Sequence, residues 1–321
     1  MSTPQFLSCG MSGESYALAS LVFSKWVTYL GAVVLTGACV ARLFIVPRCA
    51  YCLGPDPSAC DVLERQLRTV AVTAATLVFV GAFARLYAQT YSVFGLDEPV
   101  TLDLVWLIAL ESRWGGRWLA QGVAACGAMV AVGWISMQPR LGWWMVAVSV
   151  VALWVTEPMT GHTAALETHL PWVLQVVHGL AAGLWLGTLA AVMFGAVAMV
   201  RVRHPVADTW ITALVQTFSP IALAAVGGGV LMGVLTSFFY FDSVNQLWST
   251  VYGRMLLAKV GLVAVTGSVG AYNWCTFRSR LMDTATTRLF FRSAGLELFL
   301  AMGLLVLTAL LVHLAIPHKM S

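Results

Sequence analysis

Long, nearly uninterrupted apolar segments are the feature that most limits the folds open to this chain. Eight segments of the 321-residue sequence come close to or exceed the roughly 20 residues that a helix needs to cross a bilayer. Only 10% of the residues are charged, whereas a soluble domain carries about 25%. Because so few charges cannot cover a surface that faces water, lipid must be the solvent for much of the chain. The sequence therefore predicts an all-α membrane protein.

The predicted transmembrane helices are separated by polar or proline-containing breaks. Pro47 and Arg48 are expected to end the first helix, and Pro139 and Arg140 to separate the third from the fourth. The eight helices are predicted near residues 17–46, 67–94, 114–136, 142–158, 172–200, 209–240, 253–275 and 293–316.

Basic residues are distributed unevenly among the predicted loops. With the N-terminus outside, eleven of the eighteen lysines and arginines fall on the inner side, as the positive-inside rule requires of the cytoplasmic face. Most acidic residues, Glu157 among them, fall on the outer side. The charge pattern predicts that both termini lie outside.

Two short stretches suggest an internal repeat. Residues 114–121 and 252–259 both read aromatic–Gly–x–x–bulky–Leu–Ala–polar, and they lie 138 residues apart, each at the predicted outer entrance of a helix. A repeat with an even number of spans keeps its orientation in the membrane. The pattern favours two parallel four-helix halves, residues 1–158 and 159–321, although so short a match also arises by chance.

Histidines crowd the predicted outer face, where five of the six are found. Met159 and His162 share one short loop segment, His178 lies about two turns into the fifth helix, and His313 lies near the outer end of the eighth. Neutral imidazole and thioether sulfur are ligands of copper and other late transition metals. These four residues are the predicted metal ligands. The alternatives are ordinary solvated loop histidines and, for His178, an intramembrane hydrogen bond.

Three cysteines follow the first helix on the predicted inner side. Cys49 and Cys52 form a C-x-x-C pair, and Cys60 lies eight residues further on. Thiolates bind Cu(I) and zinc, so this loop is a candidate cytoplasmic acceptor. A redox pair and an incidental cluster are the alternatives.

Four charged residues fall within the predicted spans. Arg85 is the deepest, so its side chain must face protein or water, and a structural hydrogen-bonding role is its simplest interpretation. Lys25 and Lys259 lie close enough to the outer surface for their ammonium groups to reach it. Glu297, one turn into the predicted eighth helix, is expected to pair with Arg288 or Arg292.

The second half of the sequence resembles the copper resistance protein D family of bacterial inner-membrane proteins. The resemblance covers roughly residues 155–317 and is carried by residues 178–187 (HGLAAGLWLG), 218–220 (FSP) and 250–259 (TVYGRMLLAK), with Glu297 ahead of Pro317. It implies multi-pass insertion in the bacterial inner membrane, copper as the ion that is handled, and a periplasmic copper-binding protein as a partner. The Cys49–Cys52 loop has no counterpart in the family pattern.

Copper uptake from the periplasm towards the cytoplasm is accordingly the leading functional hypothesis, with copper as Cu(I) or Cu(II). A haem-binding electron carrier is an alternative, because His178 and His313 are expected at similar depth on different helices. A second alternative is a membrane anchor or sensor that binds a periplasmic partner through the acidic segment from Asp97 to Glu111, which contains Trp106. The sequence contains no enzyme motif, and neither catalysis nor nucleic acid binding is expected.

Overall fold

Eight long helices account for most of the structure, a computed structural model that describes residues 13–161, 169–277 and 284–317. Two of the helices contain a π-helical turn, at Ala41–Ile45 and at Gly183–Gly187. The long helices are α1 (Gly13–Leu53), α2 (Pro57–Phe94), α3 (Arg113–Trp134), α4 (Pro139–Thr160), α5 (Leu170–Arg201), α6 (Ala207–Ser237), α7 (Val251–Phe277) and α8 (Thr284–Leu311).

Seven of the eight long helices are both long and apolar enough to cross a membrane. The remaining one, α3, has 22 residues, which is long enough, but Arg117 and Gln121 make it less apolar. The described residues thus confirm an all-α, multi-pass membrane protein. The predicted orientation of the termini stays a prediction, because it depends on where the bilayer lies.

The end of α1 was predicted wrongly at Pro47. The helix continues through this proline to Leu53, and the π-helical turn at Ala41–Ile45 directly precedes it. Proline has no amide hydrogen, and its ring crowds the carbonyl four residues earlier, which here is that of Leu43 inside the π turn. A widened turn provides room for the ring, so the helix is not interrupted.

The starts of α2 and α8 were also predicted wrongly, ten and nine residues too late. Asp56 caps α2 by accepting a hydrogen bond from the backbone amide of Ala59 at 3.1 Å, and Pro57 occupies the first helical turn. Helix α8 likewise begins at Thr284, with Arg288 inside it. Apolar length detects the part of a helix that lies in lipid, and these polar first turns extend beyond it.

Successive helices run in opposite directions, and α1 packs at the centre of the bundle. At the crossing of α1 and α5, a Cβ atom on Gly37 would clash with the backbone of Gly187, and one on Gly187 with the Val33 carbonyl. This is close backbone contact of the kind that small residues permit in membranes. In contrast, α7 lies largely exposed on the outside of the bundle. Only 6% of the residues in its most apolar stretch are buried, against 72% for α5.

The two predicted repeat stretches adopt the same local geometry. Ser112 accepts a hydrogen bond from the Gly115 amide at 2.8 Å, and Thr250 accepts one from the Gly253 amide at 3.0 Å. Both glycines also lie against carbonyl groups of a short preceding helical segment. The offset is again 138 residues, from 115 to 253 and from 112 to 250. The division of the whole chain into two halves remains a prediction.

Candidate functional site

A cavity of about 310 Å³ opens between the helices near one end of the bundle. Residues from α1, α4, α5, α6, α7 and α8 line it, so helices of both predicted halves contribute. We call this end of the bundle the cavity end. The polar lining residues are Lys25, Tyr29, Glu157, Gln175, His178, Thr236, Ser237, Tyr240, Tyr252, Lys259 and Thr308.

His178 has one ring nitrogen fixed by the backbone. Its Nδ1 lies 2.8 Å from the carbonyl oxygen of Gly229 on α6. Because a carbonyl oxygen only accepts, Nδ1 must carry the hydrogen and donate it, which leaves the lone pair of a neutral ring on Nε2. Gly233 keeps space beside the ring, since a Cβ there would lie 3.3 Å from Cε1. A ring held in this way resembles metal-binding histidines, whose second nitrogen is usually hydrogen-bonded.

The rest of the polar lining consists mainly of hydroxyl and ammonium groups. Gln175 donates a hydrogen bond to the Tyr240 hydroxyl at 3.3 Å, and the Tyr240 and Tyr252 rings meet edge to face. Burial raises the pKa of the Tyr240 hydroxyl, and the hydrogen bond from Gln175 opposes that shift. Lys259 lines the same cavity as His178, and no ion pair to its ammonium group is found among the described residues.

A buried ionic network borders the cavity. Lys25 of α1 forms an ion pair with Glu157 of α4, and only 1% and 7% of their side-chain surfaces are exposed. Gln121 of α3 donates to the same carboxylate at 3.0 Å. Arg85 of α2 lies 4.0 Å from it and donates to the Thr160 hydroxyl and carbonyl at 2.8 and 3.0 Å. The network thus joins the first four helices at the cavity end.

This network corrects two predictions from the sequence. Lys25 does not extend to the surface, because it is buried and paired with Glu157, and Glu157 is not an exposed outer residue. Arg85, only 2% exposed, does face protein, as expected. Glu157 begins the last turn of α4 and precedes Pro158, so its sequence context looked like a loop. Only Arg85, which was expected to be buried in the second helix, hinted that a buried anion was required.

Glu297 does not pair with arginine within the described residues. It lies about halfway along α8, is 3% exposed, and accepts hydrogen bonds of 2.9 Å from the Trp185 indole and the Asn273 amide. The predicted pairing with Arg288 or Arg292 was wrong because α8 begins earlier than predicted, which places Glu297 deeper in the bundle. Trp185 also lines the cavity, so Glu297 lies directly behind the cavity wall.

The structure brings only part of the predicted metal set to the cavity. His178 lines it, whereas Met159 and His313 do not, although Pro158 and Gly161 on either side of Met159 do. Nδ1 of His313 is hydrogen-bonded to the Ala309 carbonyl at 2.8 Å. His162 lies outside the described residues, and within them no three His, Cys, Asp or Glu side chains are grouped to hold a metal. The metal role of these residues stays a prediction.

The three candidate acceptor cysteines lie at the opposite end of the bundle. Cys49 is buried, with its Sγ 3.6 Å from the Thr217 hydroxyl, while Cys52 is exposed and Cys60 is half-buried. Lys25, at the cavity end, and Cys49 lie on the same helix, α1, near its beginning and near its end. Much of the length of α1 therefore separates the cysteines from the cavity. The acceptor role also stays a prediction.

The acidic segment that was considered as a docking element is helical at the cavity end. It contains a short helix, Leu102–Trp106, and a π turn, Leu107–Glu111. Trp106 is 60% exposed, while Ile108 and Ala109 are buried.

The fold and the cavity together define the class: a multi-pass, all-helical membrane protein with a cavity between its helices that is largely apolar and contains several polar side chains. Comparison with known families is more specific. Residues 15–172 match the family described as copper resistance protein D-like, N-terminal domain, and residues 212–311 match copper resistance protein D. The chain belongs to the copper resistance protein D family, which confirms the resemblance seen in its sequence and supports a copper-related function in the membrane.

One curated relative is the copper transport protein CutJ of Bacillus subtilis (strain 168). It is 30% identical over 181 residues, which are 53% of this chain and 32% of that relative. The matching region therefore spans about a third of the relative's length. No solved structure matches the chain.

Proposed function

We propose that this protein carries copper across the bacterial inner membrane, from the periplasm towards the cytoplasm, through the cavity. Membership of the copper resistance protein D family and the similarity to a copper transport protein support copper as the substrate. The charge pattern of the loops supports a periplasmic position for the cavity end. A periplasmic copper-binding protein is the natural donor at this end.

The observation that carries the proposal is the placement of His178. Its Nδ1 is bound to the Gly229 carbonyl, so a neutral ring has its free lone pair on Nε2, beside a cavity large enough for an ion with several ligands. Imidazole is a ligand for copper. Met159 and His162 belong to the segment whose Pro158 and Gly161 line the same cavity. They would supply the further ligands.

Lys259 would keep the binding of copper reversible. Lys259 belongs to the same cavity lining as His178, and like charges repel more strongly in a low-dielectric site than in water. A conducted ion must bind well enough to enter and weakly enough to leave. Copper would then continue between the helices towards Cys49, Cys52 and Cys60 at the opposite end.

Copper uptake into proteoliposomes that contain the full chain tests the proposal. The variant His178→Gln keeps an amide that can donate to the Gly229 carbonyl but lacks the imidazole ligand. We expect it to insert and fold, to bind less copper than the parent, and to take up copper at a small fraction of the parent rate. The matched control is His204→Gln at the opposite end, where the ring contacts the Ser58 hydroxyl at 2.9 Å.

The outcomes separate the site from the activity. If His178→Gln and the parent bind and transport copper equally, the assignment of His178 is wrong. If the parent protein itself moves no copper in either orientation, the transport function is wrong. Export from vesicles loaded with copper, without import, would reverse the proposed direction.

A further inference from the structure

The carboxyl group of Glu297 is a buried acid without a counter-charge. It is 3% exposed in the middle of α8, and no ion pair to it is found in the part of the chain that the structure describes. The side chains that donate hydrogen bonds to it are neutral: the Trp185 indole from α5 and the Asn273 amide from α7, with Gly270 leaving room for the carboxylate. An unpaired carboxylate in a membrane interior is costly.

The charged groups on the helices around Glu297 lie nearer the helix ends. Within the described residues none of them forms an ion pair with its carboxyl group, whose hydrogen-bond donors are the Trp185 indole and the Asn273 amide. The other charged residues on α1, α5, α7 and α8, within the described ranges, are Glu14, Lys25, Arg42, Arg48, Arg201, Arg254, Lys259, Arg288 and Arg292.

The surroundings of Glu297 serve both of its protonation states. The Trp185 and Asn273 N–H groups donate to the two oxygens of an ionised carboxylate, each at 2.9 Å. The Asn273 Oδ1 atom is buried and has no hydrogen-bond partner in the described structure. It offers an acceptor for the O–H group of a protonated carboxyl. Burial favours the neutral acid and the two donors favour the anion, so the site accommodates both states.

We propose that Glu297 is a proton-binding site that exchanges its proton against the copper carried through the cavity. The carboxylate takes up one proton to become the neutral acid and releases it again, and no other bond is made or broken. The exchange with copper rests on the proposed function, whereas the binding of a proton does not. The Trp185 side chain connects Glu297 with the cavity, because Trp185 lines the cavity and its indole donates a hydrogen bond to Glu297.

The connection predicts the direction of the exchange. A copper ion in the cavity stabilises the ionised form of Glu297 electrostatically and so promotes release of the proton, and a proton on Glu297 weakens copper binding by the same factor. Trp185 belongs to the π-helical turn Gly183–Gly187, which is held tightly against α1. Because π turns often mark functional positions, a small shift of this turn is a suitable route from cavity occupancy to the Glu297 hydrogen bond.

Infrared spectroscopy of the full chain in liposomes tests the proton site without copper. As the pH is raised, the parent is expected to lose a carbonyl band of a buried carboxylic acid, and Glu297→Gln is expected to lack this change. Glu297→Asp is expected to restore a titrating band. The matched control is Glu64→Gln, since Glu64 is a half-exposed carboxylate paired with Arg42. If Glu297→Gln shows the same band change as the parent, Glu297 is not the proton site.

Proton movement during copper uptake tests the exchange. When copper enters parent liposomes, the lumen is expected to become more alkaline, whereas in Glu297→Gln any remaining copper uptake should proceed without a pH change. Copper uptake by the parent without proton movement would overturn the exchange. Absence of copper uptake in the parent would refute the proposed function, and the infrared titration would still decide whether Glu297 binds a proton.

Discussion

Removal of the Glu157 carboxylate is expected to destabilise the protein strongly. The variant Glu157→Gln keeps the size of the side chain but leaves the Lys25 ammonium, 1% exposed, without its counter-charge. Breaking a buried ion pair in this way costs about 3–5 kcal/mol in the free energy of unfolding. Had Lys25 and Glu157 been exposed, as their sequence positions indicated, the cost would be about 0.2–1 kcal/mol.

The ion pair between Arg42 and Glu64 provides the matched control. Its side chains are 29% and 26% exposed, and Glu64 also accepts a hydrogen bond from the Trp143 indole at 2.8 Å, which glutamine can still accept. Glu64→Gln should therefore cost no more than about 1 kcal/mol. Equilibrium unfolding of the two variants in mixed detergent micelles, followed by tryptophan fluorescence, gives the comparison.

A double-mutant cycle isolates the pair itself. The variant that combines Lys25→Met with Glu157→Gln no longer contains the orphaned ammonium, so its loss should be smaller than the sum of the two single losses by about 1–3 kcal/mol. Residual coupling is expected from Arg85, which lies 4.0 Å from Glu157. Equal losses for Glu157→Gln and Glu64→Gln, together with additive single effects, would refute a buried network at the cavity end.

Three further predictions concern packing, binding and capping. Gly187→Val should prevent folding, because a Cβ would clash with the Val33 carbonyl. Gly261 has open space around it, so Gly261→Ala should be neutral or slightly stabilising in the same unfolding assay. Lys259→Met should raise the copper affinity measured by equilibrium binding about tenfold, which corresponds to about 1.4 kcal/mol of relieved repulsion. Lys259→Arg keeps the charge and should leave the affinity unchanged. Unchanged affinity in Lys259→Met would contradict a charged Lys259 near the site. Ser112→Ala and Thr250→Ala should each cost about 1 kcal/mol, with Thr250→Ser close to the parent, and a large difference between the two caps would argue against equivalent entrances.

The membrane class and the family were evident in the sequence. Apolar length is a local property of the chain, so the eight helices could be found without knowledge of their packing. The resemblance to the copper resistance protein D family likewise depended on short local patterns, such as residues 250–259. His178 was singled out because a histidine in an apolar helix is costly, and the structure places it in the cavity lining.

Helix boundaries were predicted less well where a helix extends beyond its apolar segment into polar sequence. Helix α2 starts at Pro57 and α8 at Thr284, in polar stretches that a hydropathy criterion excludes. The π turn before Pro47 depends on the register of the backbone hydrogen bonds along α1. That register cannot be predicted from the polarity of the residues.

Only the tertiary structure decided which polar residues meet. Lys25 and Glu157 are 132 residues apart in sequence (157 − 25), and Trp185 and Glu297 are 112 apart. The crossings that bring such residues together depend on contacts like that between Gly37 and Gly187, where the two backbones pack directly. The sequence by itself determined that the chain dissolves in a bilayer as helices, because that follows from the polarity of each segment taken alone. The cavity, its ion network and the buried Glu297 follow from how the helices cross, which depends on all of them at once.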